Sequence, residues 1–395
     1  MISKRAKELS DNPSAIMVGY SIWNENPWNT DNPDGVLNFG IAENHLMEEE
    51  ILFLLDKKAD MKREHVHYCN LYGLESLRES FSEFAKNYLQ LEIDSNDIVV
   101  QTGVTSLCES LSFCLFDEDD EILVPAPLYP GFYNDFAARF KCKIKEVQLE
   151  NFEHKVSAFK EAKTNKTKGI LLTTPHNPLG SILNKEFLTD IIKFSKENNL
   201  HLISDEVYTL SRHDLDKEFT STLHIESDYK NIHYLYGMAK DFTLAGLKCG
   251  FFTSKNPAVL TAMQHTSYFH TVPSNTQLII AKLLRDTNLN EFFKESVKRI
   301  KQNLTTIQNQ VPKLKMIPPH AGIFFLADFR EQLSENSFEA ESKLFNYFIH
   351  DLGINITPGK ELGLTEPGFF RICYAKKSDE LNEFIKRINA FLNNP

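Results

Sequence analysis

The chain has 395 residues, which is more than one ordinary hydrophobic core accommodates, so two packed domains are expected. Hydrophobic residues make up 42% and charged residues 25%, and the net charge of −11 argues against a nucleic-acid partner. Residues 1–8 lack the apolar core of a signal peptide, and no apolar run reaches the ~20 residues that span a bilayer. The six scattered cysteines contain no CxxC pair, so we expect reduced thiols, no metal site, no membrane partner and a cytoplasmic location.

The first part of the chain, about 35 residues, is rich in Asn, Pro and Asp and predicts an irregular arm that packs on another segment. Beyond it, short apolar runs alternate with helical periodicity, which predicts a mostly parallel sheet with crossover helices. Strands are predicted at 98–100, 121–125, 168–174, before Asp205 and before Lys240, and helices at 76–91, 184–198, 291–310 and 378–392. After about residue 280 the pattern becomes mixed α+β. We therefore expect an α/β protein with an arm over 1–44 that contributes to the small domain, a large domain over 45–280 and a small domain over 281–395.

Lys240 stands at a turn of small residues that ends a strand-like run. Its neighbours Gly237 and Ala239 let a flat ring approach the backbone. Upstream, Asp205 ends another buried-strand pattern, and Tyr208 follows it. A lysine for a Schiff base, an acid for a pyridine nitrogen and a tyrosine for a phenolic oxygen are what pyridoxal 5'-phosphate (PLP) requires. These residues resemble the fold-type I PLP enzymes of the class I/II aminotransferase family.

The resemblance extends over 32–375, with motifs in the family's order, and implies roles for other residues. Asn177 and Tyr208 would donate hydrogen bonds to the phenolic oxygen of PLP, and Asp205 would keep its pyridine nitrogen protonated. An Asn-Pro pair by itself is most simply a turn. Arg371, in a short strand, would hold the substrate α-carboxylate with its two-pronged guanidinium.

The phosphate and the ring have candidates as well. Gly103, Val104 and Thr105 follow a strand and precede a helix, the arrangement in which backbone N–H groups bind phosphate. In 125–132 the resemblance implies that Tyr129 stacks on the pyridine ring, although a core tyrosine is the alternative. Two positions depart from the family. Gly237 stands where a phosphate-binding serine is usual, and Lys248 where an arginine is usual, so we expect weaker anchoring or a compensating group.

The stretch 32–46 resembles the 1-aminocyclopropane-1-carboxylate (ACC) synthase branch. Within it, Glu43 is expected at the mouth of the substrate site, where it binds a substrate amine or cation or caps the next helix. In this family a tyrosine reaches the cofactor phosphate of the partner subunit. The spacing typical of aminotransferases places that tyrosine at Tyr68, whereas the spacing typical of ACC synthases places it at residue 71, which is Leu71 here. Tyr72 is a third candidate. His176 also stands near the predicted cofactor site.

The resemblance implies a homodimer with shared active sites that acts on an α-amino acid. The substrate amine would displace Lys240 from the cofactor, and the freed Lys240 would remove the Cα proton. Two reactions then remain open, because both use the same core residues. We favour an aminotransferase, because of Leu71 and the altered flanks of Lys240. The alternative is an ACC-synthase-like lyase or cyclase that performs γ-elimination on S-adenosylmethionine or a related amino acid. A non-catalytic PLP-binding regulatory module is disfavoured, because the chain is acidic and only about thirty residues precede the family core.

Overall fold

The computed structural model describes residues 2–11, 13–55 and 61–393. The helices are α1 (Lys4–Asp11), α2 (Ala15–Glu25), α3 (Glu48–Leu55), α4 (Glu75–Phe84), α5 (Val104–Leu115), α6 (Ala138–Phe140), α7 (Val156–Ala162), α8 (Lys185–Glu197), α9 (Pro257–Thr266), α10 (Ser274–Asp286), α11 (Asn290–Gln310), α12 (Phe338–Asn346) and α13 (Ser378–Asn393). The strands are β1 (Leu37–Asn38), β2 (Ile98–Gln101), β3 (Glu121–Ala126), β4 (Lys143–Gln148), β5 (Thr167–Thr173), β6 (His201–Asp205), β7 (Ile232–Gly237), β8 (Gly250–Ser254), β9 (Lys315–Ile317), β10 (Phe324–Asp328), β11 (Ile354–Asn355), β12 (Thr357–Pro358) and β13 (Phe369–Cys373).

The large sheet within the described ranges has seven strands in the order β2-β8-β7-β6-β5-β3-β4. All of them run in the same direction except β8, which is antiparallel to both of its neighbours. Helices join most of the parallel strands, as is usual for crossover connections, whereas the β6–β7 connection contains only the 3-10 turn Thr222–His224. This sheet confirms the prediction of an α/β fold with a mostly parallel sheet flanked by helices.

Both faces of this sheet are buried, because helices cover each of them. On one face Ile170 and Leu202 pack against helix α8. On the other face Leu171 and Ile203 pack in a cluster that contains residues of helix α5. Strands buried on both sides therefore have continuous apolar sequences rather than alternating ones, and this is why the sequence predicted them.

The parallel strands all end at one edge of the sheet, where the predicted site residues follow them. Asp205 ends β6, and Gly237 ends β7 three residues before Lys240. Gly103 follows β2 at the same edge. Strand β8 runs the other way, so its first residues, just after Lys248, also lie there. In open α/β sheets, ligands bind at this carboxyl edge.

A second sheet has the order β12-β13-β10-β9 and is antiparallel. Arg371 lies in the middle of β13, opposite Leu326 and Thr357. The short strand β1 pairs in parallel with β11, so residues 37–38 join the chain's C-terminal part. The domain boundaries after residues 44 and 280 stay predictions.

The prediction that the N-terminal arm is irregular is wrong, because the described part of residues 2–35 contains helices α1 and α2. The Ser14 side chain caps α2 by accepting a hydrogen bond from Met17 N at 3.4 Å. Gly19 lets α2 approach β11, since a Cβ there would lie 2.3 Å from Asn355 Oδ1. The helix therefore depends on a distant packing partner. Within the described residues, every helix is too short or too polar to cross a bilayer.

Candidate active site

A cavity of about 390 Å³ opens at the carboxyl edge of the large sheet. Residues from most of the predicted motifs line it: Glu43, Gly103, Val104, Thr105, Tyr129, Asn177, Asp205, Tyr208, Gly237, Lys240 and Lys248. Most of these residues meet here because their motifs follow the ends of parallel strands, whereas Lys248 precedes the antiparallel β8 and Glu43 follows β1, outside the large sheet.

Lys240 lies in the wall of the cavity and is held by one hydrogen bond. Its Nζ donates to the Ala42 carbonyl oxygen at 2.7 Å. Burial lowers the pKa of Lys240, although the Glu43 and Asp205 carboxylates oppose this effect. A lysine with a lowered pKa is more readily neutral, and the neutral amine is the form that acts as a nucleophile or a base.

Asp205 is 6% exposed and faces the cavity from the end of β6. Its Oδ1 accepts a hydrogen bond from Val207 N at 3.4 Å. Burial raises the pKa of Asp205 to about 7. The neighbouring Glu206 does not line this cavity, and its Oε1 instead accepts hydrogen bonds from Thr222. Asp205 is thus a buried acid that forms no ion pair with any described residue, and a protonated ring nitrogen would stabilise its charged form.

Tyr208 and Asn177 lie beside each other in the wall. The Tyr208 hydroxyl is buried and has no hydrogen-bond partner among the described residues. Asn177 Oδ1 accepts a hydrogen bond from Arg371 Nη1 at 3.1 Å, which leaves the amide Nδ2 to donate elsewhere. A buried hydroxyl without a partner is costly, so an acceptor supplied by a ligand would stabilise the site.

Arg371 is 1% exposed and lies behind Asn177 rather than on the cavity surface. Its Nη2 donates to Gly40 O at 2.6 Å and to Thr357 Oγ1 at 3.3 Å. Its Nε has no hydrogen-bond partner, and no carboxylate forms an ion pair with it within the described ranges. A buried guanidinium that contacts only neutral acceptors still attracts an anion.

One end of the cavity, where the sequence predicts phosphate binding, is formed by the first turn of α5. Gly103 has φ 91°, a conformation that glycine adopts without strain, and it precedes the helix. A Cβ on Gly103 would lie 3.9 Å from Lys248 Cα and 4.0 Å from its Cδ, so the Lys248 side chain runs beside the turn. Helix N–H groups and a lysine side chain that lie close together form a site that attracts anions.

The departure at Gly237 has a steric explanation. A Cβ at this position would lie 2.8 Å from Val104 Cγ2. Val104 therefore occupies the space that a serine side chain at residue 237 would need. The branched valine is stiff, so it cannot easily move aside.

Tyr129 and Val207 supply apolar surface inside the cavity. A Cβ on Gly131 would lie 2.3 Å from the Tyr129 ring, so glycine is needed there for the ring to take its position. The tyrosine also packs edge to face on Phe132, with ring centroids 5.2 Å apart. A flat aromatic ligand can stack on a ring held in this way.

Besides Arg371, the residues Tyr68, Tyr72 and His176, named from the sequence, do not line the cavity of this chain. Tyr68 is fully exposed, and Tyr72 lies under the Arg78 guanidinium, 5.2 Å from the ring centroid. His176 is buried against His154. Glu43 does line the cavity, and it contacts His45 instead of capping α3, which begins at Glu48.

The sequence analysis missed Asp135, which lines the same cavity. The Thr105 hydroxyl donates to its Oδ2 at 3.5 Å. Burial, assisted by the Asp205 charge, raises the pKa of Asp135 to about 7. The sequence signal for Asp135 was its position six residues after Tyr129, which is itself predicted to lie in the site. An acid on the exposed face of a helix would occur at the same spacing, so this signal does not identify a site residue.

The donor and acceptor groups of the cavity fit PLP. The unpartnered Tyr208 hydroxyl suits the phenolic oxygen, and the buried Asp205 suits the pyridine nitrogen. The turn at Gly103 lies in the cavity wall at the start of a helix, which suits the phosphate. Lys240 would supply the amine that binds the aldehyde. The residues present therefore match each functional group of the cofactor.

Comparison with known proteins agrees with this chemistry. The family described as aminotransferase class I and II matches residues 34–388. Among curated relatives, 1-aminocyclopropane-1-carboxylate synthase 3 of Solanum lycopersicum is 32% identical over 413 residues, covering 96% of this chain and 88% of the relative. The synthase CMA101 of Cucurbita maxima is 30% identical over 414 residues, covering 96% and 87%. The predicted likeness to ACC synthases is confirmed.

Solved structures share the fold at lower identity. Aspartate aminotransferase of Rhizobium meliloti has a TM-score of 0.85 at 18% identity and covers 100% of this chain and 99% of its own. Aspartate aminotransferase of Thermotoga maritima has a TM-score of 0.80 at 21% identity, with both chains fully covered. The predicted fold type I architecture is confirmed, and the chain belongs to the class I and II aminotransferase family of PLP-dependent enzymes.

Proposed function

We propose that this protein is an aminotransferase that acts on an α-amino acid. The observation on which the proposal depends is that Lys240 Nζ and Arg371 Nη2 donate to carbonyl oxygens two residues apart, Ala42 O and Gly40 O. Arg371 also donates to Asn177, which lines the cavity together with Lys240. A carboxylate clamp and a base on one site are the minimum for removing a Cα proton. When bound, PLP accepts the electron pair that this removal releases.

The roles of the residues follow from their positions. We infer that Arg371 orients the substrate carboxylate, and that the neutral amine of Lys240 takes the proton at Cα. Asp205 keeps a negative charge at the pyridine nitrogen, and Tyr208 with Asn177 donates to the phenolic oxygen. These assignments are supported by the burial of Asp205 and by the unpartnered Tyr208 hydroxyl.

Anchoring and substrate contacts complete the assignment. Gly103, Val104 and Thr105 bind the phosphate by the helix start, and Lys248 adds a positive charge. Tyr129 stacks on the ring. Glu43 faces the substrate at the mouth of the cavity.

We infer a homodimer in which each active site is completed by the partner subunit. Tyr68 is fully exposed, and the loop beside the cavity exposes 70% of Tyr268 and 75% of Phe269. That loop is tied to the cavity, because Thr102 N donates to His270 O at 3.0 Å. Exposed aromatic side chains around a binding site suggest a protein surface that a second copy covers. We therefore prefer Tyr68 to Tyr72 as the residue that reaches the partner.

The dimer is tested by light scattering and by complementation. Mixing Lys240→Ala protomers with Tyr68→Ala protomers should restore part of the activity, because one site of each mixed dimer has both wild-type residues. A monomer in light scattering, or mixtures without any recovery, would contradict shared sites. We also infer a cytoplasmic location, which agrees with six cysteines that form no disulfide.

The second candidate reaction is γ-elimination as in ACC synthases, favoured by the relatives at 30–32% identity. Transamination is preferred because Leu71 departs from the ACC synthase spacing and because Gly237 and Lys248 alter the flanks of Lys240. The test is product analysis after incubation with S-adenosylmethionine and, separately, with an amino-acid panel and 2-oxoglutarate. A 2-oxo acid and glutamate are expected only in the second incubation. Formation of ACC without transamination would overturn the preference.

The cofactor attachment is tested on the same preparation. Holoenzyme should be yellow, and borohydride should bleach the band and fix the cofactor on the peptide that contains Lys240. Lys240→Ala should retain the fold but not the fixed label. A label on another lysine would refute the assignment.

A further inference from the structure

Four ionisable side chains form a group at the wall of the cavity and behind it. They are Glu43, His45, Lys376 and Glu380, called here the Glu43 cluster. His45 Nε2 lies 3.6 Å from Glu43 Oε2, and His45 Nδ1 lies 3.7 Å from Glu380 Oε2. Lys376 is fully buried, and its Nζ has no hydrogen-bond partner among the described residues. Only Glu43 of these four lines the cavity itself.

The cluster is attached to the segment that supports both proposed catalytic groups. Ala42 O accepts a hydrogen bond from Lys240 Nζ, and Gly40 O accepts one from Arg371. The same segment is fixed at its end, where His45 N donates to Ala375 O at 2.9 Å. A shift of the His45 side chain would therefore move the backbone segment that positions Lys240.

Charge within the cluster is balanced between its members. A buried ammonium without a hydrogen bond is stable only near anions, and Glu380 and Glu43 are acids that act on Lys376. The acid Glu48 also acts on it, but Glu48 forms an ion pair of its own with Lys377, at 2.7 Å. The loss of one charge would leave the others uncompensated.

The protonation states support this balance. The adjacent His45 imidazole lowers the pKa of Glu43, and the charges of Lys376 and Lys240 act in the same direction. Burial disfavours the charged form of His45, but the adjacent Glu380 and Glu43 carboxylates outweigh it and raise the pKa of His45. Burial lowers the pKa of Lys376. Glu43 is thus kept ionised beside Lys240.

We propose that His45 and Lys376 are positioning residues that fix the Glu43 carboxylate beside Lys240 and offset its charge, so that the net charge of the Glu43 cluster sets how readily Lys240 keeps a proton. The inference rests on the proposed function, in which Lys240 holds the cofactor. The groups that face Lys240 are Glu43, Asp205, Arg371 and Cys373. Of these, Glu43 is the one whose charge is offset from outside the cavity, by His45 and Lys376.

The test is a pH titration of the absorbance band of the holoenzyme without substrate, which reports the protonation of the nitrogen of Lys240. Removing the positive charge in Lys376→Met should raise the midpoint by about 0.5–1 pH unit. Glu43→Gln removes a negative charge and should lower it by a similar amount. Lys377→Met is the matched control: its side chain is 54% exposed and pairs with Glu48, so the midpoint should stay unchanged.

A merely structural role would lower the melting temperature without moving the two midpoints in opposite directions. His45→Gln is the second variant in case Lys376→Met fails to fold, and it should also raise the midpoint, because it removes a positive charge from the Glu43 cluster. Midpoints that stay within about 0.2 pH unit of wild type, or that move together, would overturn the proposal. A preparation without any absorbance band would refute the proposed function itself and this inference with it.

Discussion

Asp205→Asn should increase the stability of the cofactor-free protein while it abolishes most of the activity. Asp205 is 6% exposed, and burial raises its pKa from the ordinary 3.8 to about 7. Keeping such a carboxyl ionised in the folded state costs up to about 4 kcal/mol. The folded protein binds the Asp205 proton more tightly than the unfolded chain does. The stabilisation from this proton is therefore fully present below pH 4 and is lost as the pH rises through about 7.

Asparagine cannot ionise, yet it retains an oxygen that can accept the hydrogen bond from Val207 N. The cofactor-free variant should therefore be more stable than wild type at pH 8 and about equal at pH 4. Turnover should nevertheless fall by roughly two or more decades, since a neutral amide does not keep the pyridine nitrogen protonated.

Urea unfolding of the cofactor-free proteins at pH 4 and pH 8, combined with steady-state kinetics, measures both effects. Asp135→Asn is the control, because Asp135 lines the same cavity and burial raises its pKa to about 7 as well. It should show the same direction of stability change with near-normal turnover. A loss of stability in Asp205→Asn at pH 8, or near-normal turnover in the folded variant, would refute the reasoning.

Four further predictions concern the cavity and the segment after Lys240. Lys248→Ala should weaken PLP binding tenfold or more in a titration after dialysis, because a charge-assisted hydrogen bond contributes about 1.5–3 kcal/mol; an unchanged dissociation constant would place this lysine away from the phosphate. Gly237→Ser should not tighten binding alone, because Val104 occupies the space, but should do so with Val104→Ala in the same titration. If the single variant already binds more tightly, the valine is not the obstacle. Arg371→Ala should reduce kcat/KM for α-amino acids far more than for amines without a carboxylate, whereas a uniform loss with a lower Tm would indicate a structural role. Thr243→Gly should stabilise the protein by about 1 kcal/mol in urea unfolding, since Thr243 has φ 59° and a buried hydroxyl without a hydrogen-bond partner among the described residues. A loss of stability in Thr243→Gly would show that the packing of the Thr243 side chain stabilises the protein more than its backbone strain destabilises it.

Strands β2, β3, β5 and β6 could be predicted from the sequence, because each one is a continuous apolar run that needs burial on both faces, whereas the strand order in the sheet and the polar strand β4 were not predicted. Strands β2, β3, β5 and β6 lie within one residue of the predicted bounds where these were given. Helices with an amphipathic period, such as α11 and α13, were predicted equally well. The N-terminal helix α2 was missed, because its formation depends on contact with Asn355, which no local pattern reveals.

The sequence by itself also determined that Lys240, Asp205 and Gly103 share one site, since each follows a parallel strand and those strand ends meet at one edge. Only the tertiary structure decided the rest. The contact between Arg371 and Asn177 joins residues 194 positions apart, and the burial of Lys376 is set by several separate segments. Distances between distant segments, and the loss of water that accompanies packing, are properties of the folded chain. For this reason the pKa values and the charge balance of the site do not follow from the order of its residues.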